Sequence, residues 1–198
     1  MKILAFSDLH SDKNKLKALI QKIEKENPDI IISAGDITNF SRNLKEIISE
    51  FKKIKKILLI IPGNHETAKQ IEEISDNKQI ISIHKRSFEI NNVIFLGYGT
   101  GGFSKKEEEF ENISKRFIKT IKKGSKIVLI THAPPYGTKI DFIPGLNHCG
   151  CISYTNFIKE NKPLLHICGH LHETWNTEDK IGNTLIINPG PGGKILSI

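Results

Sequence analysis

Seven side chains that can bind a divalent metal ion come directly after predicted strands of this chain. They comprise two carboxylates, one amide and four imidazoles: Asp8, Asp36, Asn64, His10, His132, His170 and His172. All are hard or borderline oxygen and nitrogen donors. One mononuclear site rarely needs more than about four protein ligands, so this set favours two adjacent ions. Paired ions about 3.5–4 Å apart promote in-line displacement at phosphorus, and this is the predicted chemistry.

Buried strands must position these side chains. The five apolar runs that precede them are Ile3–Phe6, Asp29–Ala34, Lys56–Ile61, Lys126–Thr131 and Leu164–Cys168. In open α/β sheets, ligands bind beyond the carboxyl ends of the strands, where all of the candidates lie. Gly35, Gly63 and Gly169 come just before candidate ligands, and a glycine lets the chain turn tightly around an ion. We therefore expect rigid strand ends to aim the ligands at one centre.

Helical patterns separate the first strands. Apolar side chains from Leu16 to Ile23 recur at i, i+3, i+4 and i+7, which predicts an amphipathic helix that ends at Pro28. A second apolar stripe covers residues 44–54, and Ser41 is predicted to cap that helix. Strands that alternate with helices in this way pair in parallel through right-handed crossovers.

The rest of the chain changes character. Its predicted elements are short strands Gln79–Ile83, Ser87–Ile90 and Val93–Leu96 with a tight turn at Asn91-Asn92, a helix over 105–122, a long loop over 133–151, a helix Ile152–Glu160, a hairpin of Thr174–Thr177 and Thr184–Ile187, and an edge strand Lys194–Ile198. This order predicts an α/β fold in which two sheets pack face to face as a β-sandwich flanked by helices. We expect one domain over residues 1–198.

Composition and charge indicate a globular protein. Hydrophobic residues make up 38% of the 198 residues, and no apolar run approaches the roughly 20 residues that a membrane span needs. The stretch Met1–Phe6 is too short for a signal sequence and Asp8 interrupts it, so we expect a cytoplasmic protein without a membrane partner. The net charge of +7 would suit nucleic acid, but the lysines are spread over helix surfaces, which favours a role in solubility.

The three cysteines do not indicate a disulfide framework, because their number is odd. The run His148-Cys149-Gly150-Cys151 has a one-residue spacer and no second ligand pair, so it is a weak candidate for zinc. Cys168 is predicted to be a small buried residue.

The loop 133–151 is predicted to form one wall of the ligand pocket, because long connections in compact domains are often binding loops. Tyr136, Asn147 and His148 are its polar candidates. They either face the ligand or only hold the loop together.

Singly, each fragment that carries a candidate ligand is common in proteins, but the ordered set is not. The set is Asp8-x-His10, Gly35-Asp36, Gly63-Asn64-His65-Glu66, Thr131-His132 and Gly169-His170-x-His172. It resembles the calcineurin-like metallophosphoesterase superfamily from Asp8 to His172. The runs Thr131–Pro135 and Gly169–Glu173 are similar to its small single-domain branch near the cyclic-nucleotide phosphodiesterases. The resemblance implies the four-layer family fold, a β-sandwich flanked by helices.

The resemblance also implies two divalent metal ions as cofactors. One would be held by Asp8, His10, Asp36 and His172, and the other by Asp36, Asn64, His132 and His170. Asp36 would bridge them, because a carboxylate has two oxygens and can serve two cations. No thiolate is recruited, so Mn²⁺, Fe and Zn²⁺ all suit the donor set.

The hypothesis for the reaction is direct hydrolysis without a covalent intermediate. Two cations would lower the pKa of a bound water, and the metal-bound hydroxide would attack phosphorus in line with the leaving alkoxide. By resemblance, His65 would act catalytically by protonating the leaving oxygen or stabilising the transition state. The alternative is that His65 only supports the ligands or starts a helix. Glu66 is interpreted as an acid in the first turn of a helix.

Two rival functions stay open. Larger members of the superfamily cut DNA, but they usually carry a capping domain that 198 residues do not accommodate. A non-catalytic scaffold of this fold departs from the pattern at the histidine after the asparagine, whereas His65 is present here. The favoured prediction is a phosphodiesterase or phosphatase acting on a small phosphate ester. The choice between monoester and diester and the oligomeric state are left open.

Overall fold

The computed structural model describes residues 1–122 and 124–198, in which two main sheets and five α-helices are arranged in layers. The first sheet contains β1 (Lys2–Phe6), β2 (Ile30–Ser33), β3 (Ile57–Ile60), β4 (Ile80–Ser82) and β13 (Lys194–Ser197), in the order β13-β1-β2-β3-β4. The second contains β5 (Arg86–Ile90), β6 (Val93–Tyr98), β7 (Lys126–Thr131), β10 (Leu165–Ile167), β11 (Thr177–Ile181) and β12 (Thr184–Asn188), in the order β11-β12-β10-β7-β6-β5. The helices are α1 (Lys13–Glu26), α2 (Leu44–Lys53), α3 (Ala68–Ile74), α4 (Glu108–Thr120) and α5 (Ile152–Asn161).

The strands that precede the candidate ligands lie side by side and run in parallel. In the first sheet, β1 pairs with β2 and β2 with β3, so that Ile3, Ile30 and Ile57 stand in one row. In the second sheet, β7 pairs in parallel with β10 through Val128 and Leu165. The carboxyl ends of each parallel group therefore meet at one edge of its sheet.

Alternate side chains of each strand face two different apolar cores. On β1, Leu4 packs with α1 and α2, whereas Ile3 packs against the second sheet. On β7, Val128 faces the first sheet, whereas Leu129 packs with α4 and α5. Three stacked cores result, one between the sheets and one between each sheet and its helices. The predicted α/β class and four-layer sandwich are confirmed, and the continuous apolar runs are explained by burial on both faces.

Two predicted details are wrong. Ser41 does not cap α2, because Asn43 occupies that position in a left-handed conformation, and the Ser41 hydroxyl instead donates to Gln70 Oε1 at 2.7 Å. The first strand of the C-terminal hairpin is Thr177–Ile181 and not Thr174–Thr177, because His172–Thr174 form a 3₁₀ turn. That strand lies at the sheet edge with charged residues at its centre, so it lacks an apolar signal.

Two further differences concern short elements. Helix α3 was anticipated only by the helix start assigned to His65 and Glu66, and its bounds were not predicted, although Thr67 and Gln70 form a capping box, which is a readable sequence signal. The loop 133–151 contains a short hairpin whose two strands, β8 (Phe142–Ile143) and β9 (Asn147–His148), have two residues each. The turn at Asn91-Asn92 is confirmed, with both residues at positive φ between β5 and β6. None of the helices in the described part of the chain has the length and apolar character to cross a bilayer.

Candidate metal centre

The candidate ligands converge where the carboxyl edges of the two sheets meet. Asp8, His10, Asp36 and Asn64 follow strands of the first sheet, and His132, His170 and His172 follow strands of the second. Contacts between the sheets join these sets, since His132 Nε2 lies 3.3 Å from Asp36 Oδ2 and 2.9 Å from Asn64 Oδ1. All seven residues named from the sequence are thus brought into one cluster.

One group of donors forms around His10. Its Nε2 lies 3.0 Å from Nε2 of His172, and His172 Nε2 lies 3.9 Å from Asp8 Oδ1. Donor atoms of Asp8, His10 and His172 all lie within 4.8 Å of one another. Asp8 is fully buried, whereas the His172 side chain is 47% exposed, so this group opens to solvent on one side.

A second group forms around Asn64. Its Oδ1 lies 2.9 Å from His132 Nε2 and 2.9 Å from His170 Nδ1. Nδ1 of His132 lies 2.9 Å from the carbonyl oxygen of Ala34, which can only accept, so Nδ1 carries the proton of the neutral ring. In that neutral form the Nε2 lone pair would face Asn64 and Asp36, in the orientation that an outer hydrogen bond gives a metal-binding histidine.

Asp36 stands between the two groups. Its Oδ2 lies 3.8 Å from His10 Nε2 and 3.3 Å from His132 Nε2, while Oδ1 accepts a hydrogen bond of 2.9 Å from the backbone of His65. Within residues 1–122 and 124–198, no lysine or arginine forms an ion pair with Asp36 or Asp8. Buried carboxylates without such a partner are typical of sites that hold a cation.

The electrostatics of the imidazoles suit neutral ligands on the side of His10 and His170. Burial lowers the pKa of His10 and lowers the pKa of His170 to about 4, so both rings offer lone pairs near neutral pH. The Nε2 atom of His170 is buried without a hydrogen-bond partner among the described residues. Burial also acts to lower the pKa of His132, but the hydrogen bond and charge of Asp36 outweigh it and raise this pKa to about 9. The raised pKa of His132 shows that the Asp36 carboxylate attracts positive charge.

His65 lies beside the centre with a small part of its side chain exposed to solvent. Its Nδ1 accepts a hydrogen bond of 3.4 Å from the backbone N–H of Phe40, so the neutral ring carries its proton on Nε2. That Nε2 atom lies 3.9 Å from Asp36 Oδ2, and the ring meets the edge of His10 at 4.7 Å between centroids. A proton-bearing nitrogen therefore points at the same space as the ligand atoms.

Glu66 organises the loops that carry two of the candidates, and its interpretation as a first-turn helix acid is wrong. The helix begins after Thr67, and the Glu66 carboxylate is buried below it. Its Oε2 accepts from the backbone N–H groups of Asp36 (3.1 Å) and Gly63 (3.2 Å), and its Oε1 from that of Thr38 (2.7 Å). Burial raises the pKa of this carboxyl, against the hydrogen bonds from Thr38 and Gly63.

The backbone around the centre is tightly wound. Asp8, His10, Asp36 and His170 all have positive φ values, between 50° and 72°. Non-glycine residues rarely adopt this region, and such residues concentrate at functional sites. Gly63 is required for close approach, because a Cβ atom there would lie 2.6 Å from the backbone nitrogen of Asp36.

Of the residues singled out in the loop 133–151, His148 bonds within the loop itself. His148 Nδ1 lies 2.9 Å from Asp141 Oδ1, and the buried Asp141 carboxylate also accepts from backbone N–H groups of Thr138 and Gly150. This arrangement holds the loop together. Cys149 and Cys151 do not join a metal-ligating group in the described part of the chain.

Three aromatic residues at the centre carry no readable sequence signal. The ring of Phe40 lies 4.3 Å from that of His65, Phe103 lies 4.8 Å from His170, and Trp175 lies 4.6 Å from His172. Phe40 and Phe103 are brought beside their histidines only by folding, whereas Trp175 lies three positions after His172. Trp175 is the single tryptophan of the chain, which makes its fluorescence a local probe of this centre.

The amino-acid sequence matches one family profile and one relative over most of its length. The sequence profile described as calcineurin-like phosphoesterase matches residues 1–174. The protein MJ1162 of Methanocaldococcus jannaschii is 32% identical over 201 residues, covering 96% of this chain and 88% of its own length.

Two solved structures illustrate the similarity of fold. The structure of TT1561 from Thermus thermophilus superposes with a TM-score of 0.78 at 16% identity, covering 96% of this chain and 88% of its own. A dimetal phosphatase from Danio rerio superposes with a TM-score of 0.66 at 10% identity, covering 95% and 86%.

Proposed function

The chain belongs to the calcineurin-like phosphoesterase family, and we propose that it hydrolyses small phosphate esters with two divalent metal ions bound between its sheets. The observation that carries the proposal is the position of Asp36. Its carboxylate adjoins both donor groups, at 3.8 Å from His10 Nε2 and 3.3 Å from His132 Nε2. A carboxylate so placed can serve two cations at once.

The donor set fits two ions. Asp8, His10, Asp36 and His172 would hold the first, and Asp36, Asn64, His132 and His170 the second. The contact of His132 Nδ1 with the Ala34 carbonyl oxygen, which orients Nε2 toward Asn64, and the contact of His170 Nδ1 with Asn64 Oδ1 at 2.9 Å support this assignment. Oxygen and imidazole donors without a thiolate suit Mn²⁺, Fe or Zn²⁺. When bound, a pair of such ions activates water at neutral pH and neutralises charge on phosphate oxygens.

His65 is proposed to donate a hydrogen bond from Nε2 to the leaving oxygen and so to stabilise the negative charge that develops there. The Phe40 backbone N–H occupies Nδ1, so the proton sits on Nε2, which faces the donor cluster. The His65 side chain is 18% exposed, which leaves room for a substrate oxygen to approach. A positioned hydrogen-bond donor of this kind contributes about 10²–10⁴-fold to turnover.

The substrate is proposed to be a small ester that enters from the exposed side. Asp8, Asp36 and His132 form the buried floor, while His172 lies at the open rim. Location in the cytoplasm stays a prediction from the sequence.

The test combines metal binding with hydrolysis. Metal-free protein is titrated with Mn²⁺, Zn²⁺ or Fe²⁺ while Trp175 fluorescence and the melting temperature are recorded, and p-nitrophenyl phosphate and bis-p-nitrophenyl phosphate are then assayed. Metal binding to the folded state alone is expected to raise the melting temperature. Asp36→Asn is expected to abolish this rise and lower turnover at least about 10³-fold, because it weakens both ion sites.

His65→Ala separates the hydrogen-bond donor from the metal ligands. We expect it to retain the metal-dependent fluorescence change and to lose about 10²–10⁴-fold in turnover. His148→Ala, a histidine outside the donor cluster, is the matched control and is expected to keep turnover within about twofold. Near-normal turnover of His65→Ala would refute its role. Metal binding without hydrolysis of any ester would refute the enzyme and favour a scaffold.

A further inference from the structure

Two of the most exposed large apolar side chains in the described part of the chain stand against histidines of the candidate centre. Phe40 is 72% exposed and Phe103 is 62% exposed. Single exposed apolar residues are common on protein surfaces and need no explanation. These two differ because each ring rests on a histidine of one cluster, His65 for Phe40 and His170 for Phe103.

Phe40 is held in place by a loop that joins both sides of the first donor group. Asn39 N donates to Ser11 Oγ at 3.1 Å, next to His10, and the Ser41 hydroxyl lies 3.3 Å from the His65 carbonyl oxygen. Phe40 itself has a φ of 51°, a conformation that costs energy for a residue with a side chain. The fold thus maintains an exposed aromatic ring in an unfavourable backbone conformation beside the proposed hydrogen-bond donor.

Phe103 is placed by a glycine-containing loop anchored beside Asn64. The Thr100 N–H donates to the carbonyl oxygen of Pro62 at 2.9 Å. Gly102 lies beside the His170 ring, since a Cβ atom there would be in ordinary contact with it at 3.8 Å. Phe103 therefore flanks the second donor group, as Phe40 flanks His65 beside the first.

We propose that Phe40 and Phe103 form stacking surfaces for planar rings, so that the substrate is a phosphate ester of a nucleoside. This inference rests on the proposed hydrolysis of phosphate esters. Phe40 lies beside His65, which would face the leaving oxygen, and Phe103 lies beside His170 of the second donor group, where we place the other substituent of a diester. Stacking of a base on an aromatic side chain changes affinity by roughly 5- to 100-fold and accepts any base.

The test uses pairs of ligands of which one carries a base and the other does not. Adenosine 5′-phosphate and ribose 5-phosphate share the bond to be cleaved, and thymidine 5′-(p-nitrophenyl phosphate) and ethyl p-nitrophenyl phosphate form a diester pair. Non-hydrolysable phosphonate analogues of the two monoesters are titrated by calorimetry into the Mn²⁺-loaded protein, which measures affinity independently of turnover.

The wild type is expected to bind the adenosine analogue at least about 10-fold more tightly than the ribose analogue. Phe40→Ala is expected to reduce this ratio about fivefold or more. Phe103→Ala is expected to reduce the preference for the thymidine diester over the ethyl diester by a similar factor, mainly through KM in the hydrolysis assay. Phe40→Trp is expected to restore the ratio that Phe40→Ala reduces. Ile118→Ala removes an apolar side chain that is 46% exposed on α4 and is expected to change nothing.

The two proposals fail in different ways. Equal binding of both analogues by the wild type, or ratios unchanged in both alanine variants, would overturn the stacking surfaces while leaving hydrolysis intact. Base-dependent binding without hydrolysis of any ester would overturn the proposed enzyme while supporting the stacking surfaces.

Discussion

Glu66→Gln tests whether one buried carboxylate sets the positions of two loops of the centre. The variant keeps the size of the side chain and replaces one acceptor oxygen with an N–H₂ group, which can only donate. All known partners of the Glu66 carboxylate in the described chain are donors, from Asp36, Thr38 and Gly63. Whichever way the amide turns, at least one backbone N–H faces another donor.

The magnitude follows from the least costly orientation. With the amide nitrogen at the Oε1 position, the Thr38 hydroxyl can rotate to accept a hydrogen bond from the amide. The Thr38 N–H, which donates to Oε1 at 2.7 Å in the wild type, loses its partner. A buried donor left unsatisfied costs about 1–3 kcal/mol, and the bonds from Asp36 and Gly63 weaken by roughly 1 kcal/mol each when the acceptor is neutral. The free energy of unfolding is therefore expected to fall by about 3–5 kcal/mol.

The assay is urea unfolding at fixed pH, followed by a Mn²⁺ titration monitored by Trp175 fluorescence. A loss of this size lowers Tm by roughly 6–20 °C for a chain of this length. Because the Asp36 and Gly63 loops shift, the affinity for Mn²⁺ is expected to fall about 10- to 100-fold, as for other groups that orient metal ligands. Glu24→Gln, an exposed substitution on α1, is the matched control.

A change of less than about 0.5 kcal/mol in Glu66→Gln, within the range of ordinary surface substitutions, would refute this account of the loops. Lost stability with unchanged Mn²⁺ affinity would show that Glu66 supports the fold but does not position the donors.

Two further substitutions test the close approach of the loops and the core between the sheets. Gly63→Ala is expected to weaken Mn²⁺ binding at least about 10-fold, because the new Cβ would lie 2.6 Å from the Asp36 nitrogen. Gly192→Ala is the control, because nothing lies within 4 Å of a Cβ atom at that position. Equal Mn²⁺ titrations of the two variants would contradict the steric argument. Leu59→Ala removes a fully buried side chain between the sheets and is expected to reduce the free energy of unfolding by about 2–5 kcal/mol in urea titrations. Leu146→Ala, at a position 67% exposed, should stay within about 0.5 kcal/mol of the wild type, and a comparable loss in both leucine variants would argue against this core.

The strands of the centre were predictable because their signal is local. Continuous apolar runs such as Ile30–Ser33 and Lys126–Thr131 are buried on both faces, so their composition alone indicates central strands. Helix α1 is predictable for a similar reason, since one apolar face recurs with the helical period. The edge strand Thr177–Ile181 was misplaced, because neither of its faces is fully covered and its pattern is correspondingly weak.

Ser41 and Glu66 show where local signals mislead. A serine shortly before an apolar helical stripe is a reasonable cap, but in the fold its hydroxyl bonds with Gln70 of α3, 29 positions later. An acid just before a helix is favoured by the helix dipole, yet Glu66 is drawn inward by backbone donors from Asp36 and Thr38. In both cases the deciding partners are distant in sequence, which no periodic pattern encodes.

By itself the sequence determined the class of fold, the family and the set of residues at the strand ends, because burial period and motif order are properties of short segments. Only the tertiary structure decided that Asp36 lies between two donor groups, that His65 carries its proton toward them, and that Phe40 and Phe103 flank them. These relations depend on how two sheets pack and how strained loops turn at positive φ. They arise from contacts between segments up to about 160 residues apart, such as His10 with His172, which the chain forms only when its cores are buried.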